Sequence, residues 1–112
     1  MHIHGHNFQV LASGFGSWDN KTIIRPSNPQ RRDTQIMGPL GYIVVQWDLD
    51  NPGVWAFHCH IAWHLSQGMN INFVEEEKKL RKLAIPSVMK QTCKKWWKWS
   101  GVNVVDTIDS GL

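Results

Sequence analysis

Alternating apolar and polar positions predict β-strands through most of the first two thirds of the chain. Residues 6–11 alternate and predict a first strand. Residues 41–49 are rich in β-branched and aromatic side chains, which favour a strand. Residues 54–60 follow the turn sequence Asp50-Asn51-Pro52-Gly53, so these two segments predict a β-hairpin. Residues 69–75 alternate again and predict a further strand.

The segment between the first two strands is polar and irregular. Residues 13–16 predict a Gly/Ser turn, and residues 17–36, which include prolines, predict a long loop. Within that loop Asn20-Lys21-Thr22 is a glycosylation sequon, which matters if the chain enters a secretory pathway.

Helical spacing replaces β alternation from residue 75 onward. Residues 75–85 begin with three glutamates and continue with Lys and Arg, an order that suits the helix dipole. Pro86 ends this predicted helix, and Ser87 is a candidate N-cap for a second helix over residues 88–99. Residues 100–112 show no regular pattern.

Composition places the chain among globular proteins. It has 112 residues, of which 42% are hydrophobic and 19% charged. No apolar run approaches the roughly 20 residues that cross a bilayer, so neither a membrane span nor a signal peptide is predicted. The net charge of +3 comes entirely from residues 75–112, because the charges of residues 1–74 cancel.

Lysines and tryptophans interleave near the end of the chain. The residues concerned are Lys94, Lys95, Trp96, Trp97, Lys98 and Trp99. Nucleic-acid binders combine the same residue types, which keeps that function open as an alternative. A solvated basic face on a terminal helix explains the pattern more simply, so no nucleic-acid partner is predicted.

The histidines carry the clearest chemical signal. All six fall into two short clusters, one over residues 2–6 and one over residues 58–64. If residues 2–6 are extended, His2, His4 and His6 share one face, with neighbours about 7 Å apart. That spacing suits two neighbouring metals better than one. The chain has two cysteines and no C-x-x-C pair, which argues against a zinc ribbon and a disulfide framework.

The second cluster adds sulfur ligands. If the strand continues through it, His58 and His60 point to one side and Cys59 to the other. Cys59, His64 and Met69 then supply a thiolate, an imidazole and a thioether, as blue-copper sites do. The backbone between Cys59 and its two neighbours would be a short covalent path for electrons.

These segments resemble multicopper oxidases, most closely the ascomycete-type laccases of fungi. The similar stretches are His2-Ile3-His4-Gly5-His6-Asn7-Phe8, Arg31-Arg32-Asp33, Asp50-Asn51-Pro52-Gly53-Val54-Trp55, residues 58–69 and Asp109-Ser110-Gly111-Leu112. The last of these is similar to the end at which many such laccases are processed. The resemblance therefore covers essentially the whole chain.

The resemblance implies a copper ligand set. His2 would bind the type 2 copper, and the type 3 pair would be bound by His4, His58 and His60. The type 1 copper would be bound by Cys59 and His64, with Met69 in the axial position. His64, at the rim of the substrate pocket, and Cys59 would be the catalytic residues for electron entry.

Other positions gain meaning only from the resemblance. His6 matches a histidine that is not usually a ligand, and Cys93 matches a cysteine that in relatives often bonds to the first domain. The family motif begins with a further type 1 histidine, which would lie ahead of Met1, and half of the trinuclear histidines come from that first domain. We therefore expect the chain to be part of a longer enzyme. Met69 stands where ascomycete laccases commonly have Leu, which implies a lower type 1 potential.

The fold expected from the resemblance is all-β. It is a cupredoxin-like Greek-key β-sandwich, incomplete at its N-terminus, with a short C-terminal helical appendage. Residues 1–74 would form the partial plastocyanin-like domain that carries the copper ligands. Residues 75–112 would form the helical segment and tail of the same domain.

The expected function is the copper-binding C-terminal part of a laccase-like multicopper oxidase. The parent enzyme would be extracellular, would oxidise phenols or aromatic amines in one-electron steps, and would reduce dioxygen to water. Its other cupredoxin domains would be partners of this chain, which alone would be inactive as an oxidase. The alternative is a small copper-binding or electron-transfer protein that uses Cys59, His64 and Met69.

Overall fold

The computed structural model describes residues 1–101 and is mostly β-structure, as expected. Three short helices accompany the strands. The strands are β1 (His2–Ile3), β2 (Phe8–Phe15), β3 (Gln30–Arg32), β4 (Gly41–Gln46), β5 (Gly53–His58) and β6 (Asn70–Glu75). The helices are α1 (Ala62–Ser66), α2 (Glu77–Leu80) and α3 (Ser87–Ser100).

The strands form two antiparallel sheets. The first has the order β1-β5-β6 and the second the order β3-β2-β4. In the first sheet the register sets His2 opposite His58 and Gly53 opposite Glu75. This sheet carries both histidine clusters, so it is the scaffold of the candidate site.

The core lies between β1 and the first half of β2. Ile3, Phe8 and Val10 are buried, and Val45, Trp47, Phe57 and Phe73 pack against them. The Trp47 ring stacks near Phe57 and meets the edge of Phe73, at centroid distances of 6.3 and 5.0 Å. Both sheets contribute to this cluster, which holds the histidine-bearing sheet against the second one.

The predicted hairpin over residues 41–60 is wrong. β4 pairs with β2, whereas β5 pairs with β1 and β6 in the other sheet. The turn sequence instead belongs to a connection that crosses between sheets. Asn51 anchors this connection, because its side-chain amide donates to the Gly5 carbonyl oxygen at 3.0 Å and its own carbonyl accepts from Trp55 Nε1 at 2.8 Å.

The predicted turn over residues 13–16 is also wrong, since β2 continues through it to Phe15. Gly14 is paired with Tyr42, whose ring lies over it: a Cβ there would come within 3.0 Å of that ring. The strand also begins two residues later than predicted, at Phe8. The long loop after it contains the short strand β3, which pairs with the start of β2.

The helical segment follows the prediction in outline. The first of the two helices predicted in this segment corresponds to α2, which covers only Glu77–Leu80. The second, α3, begins at Ser87 itself, with Pro86 at the N-cap and no capping side-chain hydrogen bond, so the predicted Ser87 cap is wrong. No side chain of α3 is buried. The tail signature at residues 109–112 lies outside the described residues, and no described helix is long and apolar enough to cross a membrane.

Strand β2 offers a matched test of the core, because one of its phenylalanines is fully buried and the other is 83% exposed. We expect Phe8→Ala to lower the free energy of unfolding by about 3–5 kcal/mol through lost burial and a cavity. Phe15→Ala should change it by less than about 0.5 kcal/mol. Urea unfolding followed by circular dichroism measures both, and equal losses would contradict this assignment of the core.

Gly5 and Gly16 share a φ of +72°, but their surroundings differ. A Cβ on Gly5 would lie 2.5 Å from the Trp55 ring, whereas nothing lies within 4 Å of one on Gly16. Gly16→Ala should therefore lose only about 1 kcal/mol of stability, from backbone strain. Gly5→Ala should lose a further 1–3 kcal/mol or so from the forced contact. Urea midpoints that fall equally in the two variants would refute the close packing of Trp55.

Candidate metal centre

Pairing of β1 with β5 brings the two histidine clusters together. The register sets His2 directly across from His58. His4 follows β1, and its backbone N–H donates to the Ala56 carbonyl at 2.9 Å, which keeps it beside β5. One ring nitrogen from each of His2, His4 and His58 lies within 4.8 Å of the others. Residues more than fifty positions apart in sequence thus form one imidazole cluster.

Hydrogen bonds made by Nδ1 of His2 and His58 set the orientation of both rings. His2 Nδ1 is 2.9 Å from the Asp33 carbonyl oxygen, and His58 Nδ1 is 2.9 Å from the Cys59 carbonyl oxygen. A carbonyl only accepts, so in each ring Nδ1 carries the proton and Nε2 has the lone pair, which in His58 faces His4 Nε2. Histidines that ligate metals are oriented by bonds of this type. The donor set therefore fits a metal that prefers imidazole.

His4 completes the cluster. Its Nε2 lies 3.0 Å from His58 Nε2. Desolvation lowers the pKa of His4, and the neighbouring imidazoles of His2, His58 and His60 lower it further. A lowered pKa favours the neutral ring, which is the form that binds a metal.

His60 lies at the edge of the same cluster. Its ring centroid is 5.7 Å from that of His2 and 5.8 Å from that of His58. The structure thus brings together all four histidines that the resemblance assigns to the trinuclear copper cluster.

Cys59 lies on the opposite side of the same backbone. It is 8% exposed, and its Sγ is 3.4 Å from His64 Nδ1. His58 and Cys59 thus contact different groups, as alternation predicts, but β5 ends at His58, two residues before the predicted end of the strand. Helix α1, which sequence reasoning missed, turns the chain back and presents His64 to the sulfur.

Met69 closes this second site. Its backbone N–H donates to the His64 carbonyl and its carbonyl accepts from the Cys59 N–H, both at 3.0 Å. The side chain lines a cavity of about 650 Å³ together with Cys59, His60 and His64. The walls of this cavity also include the apolar residues Met1, Ile36, Met37, Pro39, Leu40 and Ile61. The three predicted sulfur-site residues therefore share one largely apolar cavity.

His6 does not join the cluster, so the prediction that it shares a face with His2 and His4 is wrong. The backbone leaves the extended conformation at Gly5, which has a φ of +72°. The His6 ring turns inward instead, and its Nε2 lies 3.0 Å from Glu75 Oε2. Sequence reasoning placed Glu75 where a strand ends and a helix begins, and it missed the burial of this carboxylate, which has no local sequence signal.

Comparisons with known proteins agree with this geometry. Residues 1–79 match the family model described as multicopper oxidase. Laccase-1 of Botryotinia fuckeliana is 37% identical over 115 residues, covering 100% of this chain and 20% of that protein. Oxidoreductase ptaE of Pestalotiopsis fici is 41% identical over 120 residues, with the same two coverages.

Solved structures show the same relationship. The laccase from Botrytis aclada superposes with a TM-score of 0.75 at 31% identity, covering 99% of this chain and 21% of that one. Fet3p, a multicopper oxidase that functions in iron import, superposes with a TM-score of 0.64 at 29% identity, covering 99% of this chain and 22% of that one.

This chain thus spans about a fifth of the length of the relatives it matches. The family match covers both histidine clusters and the Cys59 segment, and the fold agrees with that of solved laccases. The chain belongs to the multicopper oxidase family.

Proposed function

We propose that this chain is the copper-binding C-terminal cupredoxin part of a laccase-type multicopper oxidase. The observation that carries the proposal is the pair of donor sets on one short backbone segment. His58 faces the imidazole cluster, while its neighbour Cys59 places Sγ 3.4 Å from His64 on the other side. Two donor sets joined by one peptide bond would let electrons pass from a copper bound at Cys59 to metals bound by the imidazole cluster.

Each donor residue has a proposed role. His2 would hold the type 2 copper, with His4, His58 and His60 holding the type 3 pair. Cys59 and His64 would hold the type 1 copper, with Met69 axial. When bound, copper supplies one-electron redox chemistry, which in the whole enzyme would couple oxidation of phenols or aromatic amines to reduction of dioxygen to water.

The protein's own residues prepare these sites. The carbonyls of Asp33 and Cys59 orient the imidazoles of His2 and His58 before any metal arrives. The apolar walls of the open cavity beside His64 suit an aromatic substrate. His64 lines this cavity and its Nδ1 lies 3.4 Å from Cys59 Sγ, so we propose it as the entry point for electrons.

The wider setting of the enzyme is part of the proposal. Residues 1–74 would be the cupredoxin part and residues 75–112 its helical extension. Other cupredoxin domains would supply the remaining trinuclear ligands, so the chain alone would not complete an oxidase. We place the parent enzyme outside the cell, with Asn20, exposed on a surface turn, as its glycosylation site.

A small electron-transfer copper protein is the second candidate. One observation favours it: Cys59, His64 and Met69 are joined by local backbone hydrogen bonds, so this site needs no distant strand. The imidazole cluster distinguishes the two functions, because an electron-transfer protein has no use for it.

The imidazole cluster should bind Cu(II) through all three converging rings. We expect His58→Ala to weaken Cu(II) binding at this site by at least about 10-fold, since it removes one ligand and the partner of His4 Nε2. Glu77→Ala, which removes an exposed carboxylate, should leave the affinity unchanged. Chelator competition and the nitrogen couplings in the Cu(II) EPR spectrum measure both effects. Equal affinity in His58→Ala and wild type would remove the cluster from the proposal.

The two cysteines provide a matched test of the sulfur site, since Cys59 is buried beside His64 and Cys93 is exposed on α3. A thiolate binds Cu(I) far more tightly than a hydroxyl does. Cys59→Ser should therefore lower the Cu(I) affinity at least about 10-fold. Cys93→Ser should retain it. Competition with a colorimetric Cu(I) chelator measures the Cu(I) affinity of both variants. An equal loss of affinity in the two would show that copper binds nonspecifically to thiols.

A further inference from the structure

Two ionisable side chains outside the proposed ligand set are almost completely buried against each other. The side chains of His6 and Glu75 are 4% and 1% exposed, and His6 Nε2 lies 3.0 Å from Glu75 Oε2. Burying such groups is unfavourable unless each has a partner. The two atoms face each other at ion-pair distance, although neither makes a well-aligned hydrogen bond, and the proposed copper roles give neither residue a task.

Glu75 is held in place from its other side. Trp47 Nε1 donates to Glu75 Oε1 at 3.2 Å, and the Trp47 ring is packed between the two sheets. The backbone of Glu75 is paired with Gly53 at the end of β6. The carboxylate is thus a fixed point in the core.

His6 connects this fixed point to a proposed copper ligand. Its Nδ1 donates to the carbonyl oxygen of His4 at 3.2 Å, while its Nε2 faces Glu75. Between them lies Gly5, which has no side chain to restrain its backbone. The Trp55 ring covers Gly5 and meets the edge of the His6 ring at a centroid distance of 5.8 Å.

We propose that His6 and Glu75 are positioning residues that fix the direction of the His4 imidazole in the metal cluster. The inference rests on the proposed copper role of that cluster. Without the pair, the peptide between His4 and His6 can rotate about Gly5. Metal binding must then order the His4 ring, and the entropy lost in ordering it lowers the affinity.

The test compares two variants of the full chain that differ only at position 6. In Glu75→Gln the link is kept, because the amide oxygen accepts from Trp47, the amide N–H donates to His6 Nε2, and His6 Nδ1 still donates to His4. In Glu75→Gln with His6→Phe the link is broken, while the ring volume and the Trp47 acceptor remain. Glu77→Gln, which neutralises a carboxylate 62% exposed on α2, is the control for lost charge.

We expect Glu75→Gln and Glu77→Gln to bind Cu(II) within about threefold of wild type, and the double variant to bind about 10- to 100-fold more weakly. Pulsed EPR should count one imidazole fewer in the double variant. Trp47→Phe keeps the apolar packing and removes the hydrogen bond to Glu75 Oε1, so it should give an intermediate loss of Cu(II) affinity. This variant provides a test if the double variant does not fold. Urea unfolding separates these losses from lost stability, since a purely structural pair would change the midpoint and leave the affinity of the folded protein intact.

A measurement without metal keeps this inference separate from the proposed function. In the metal-free wild type the imidazole nitrogens of His4 should give sharp NMR signals, which should broaden or shift in the double variant and not in Glu75→Gln. If wild type binds no Cu(II) and the His4 signals behave as stated, the copper proposal fails and the positioning role stands. If both variants bind Cu(II) equally and the His4 signals are unchanged, the positioning role is wrong.

Discussion

The candidate site depends on one very short antiparallel pairing. Strand β1 has only two residues, yet its pairing with β5 sets His2 across from His58 and joins clusters from opposite halves of the chain. Burial of Ile3 in the core holds this strand down, because its side chain points away from the imidazoles. A further backbone bond, from the Ile3 N–H to the Asp33 carbonyl at 3.0 Å, fixes its other edge. The imidazole cluster therefore depends on the core directly beneath it.

Sequence reasoning selected residues that the structure brings together but misjudged how the strands pair. Donor identity and spacing are local properties, and the alternation of His58, Cys59 and His60 follows directly from an extended backbone. Which strand pairs with which depends on long-range packing. The segment between β4 and β5 carries a strong turn signal, yet it crosses between sheets because Trp47 packs into the shared core and Asn51 bonds to Gly5.

The hydrophobic pattern also could not predict the direction of a side chain that follows a residue with positive φ. A strict period of two places His6 with His2 and His4, and the positive φ at Gly5 breaks that period. Glycine adopts a positive φ readily, but the presence of a glycine at position 5 does not by itself predict that φ is positive there. Glu75 shows a related limit: the pattern placed it where a strand ends and a helix begins, and β6 does end there, but its burial was not predicted.

The tripeptide His58-Cys59-His60 couples its two faces mechanically. Moving the backbone to bring Cys59 closer to His64 also moves His58 and His60, because the three residues are adjacent in the chain. Neither donor set can be adjusted alone by moving this segment. A substitution that changes only the sulfur site must therefore leave the tripeptide in place. Residue 69 is such a position, because it lies between α1 and β6. Substitutions around the tripeptide can therefore change one donor set alone, whereas displacement of the tripeptide changes both.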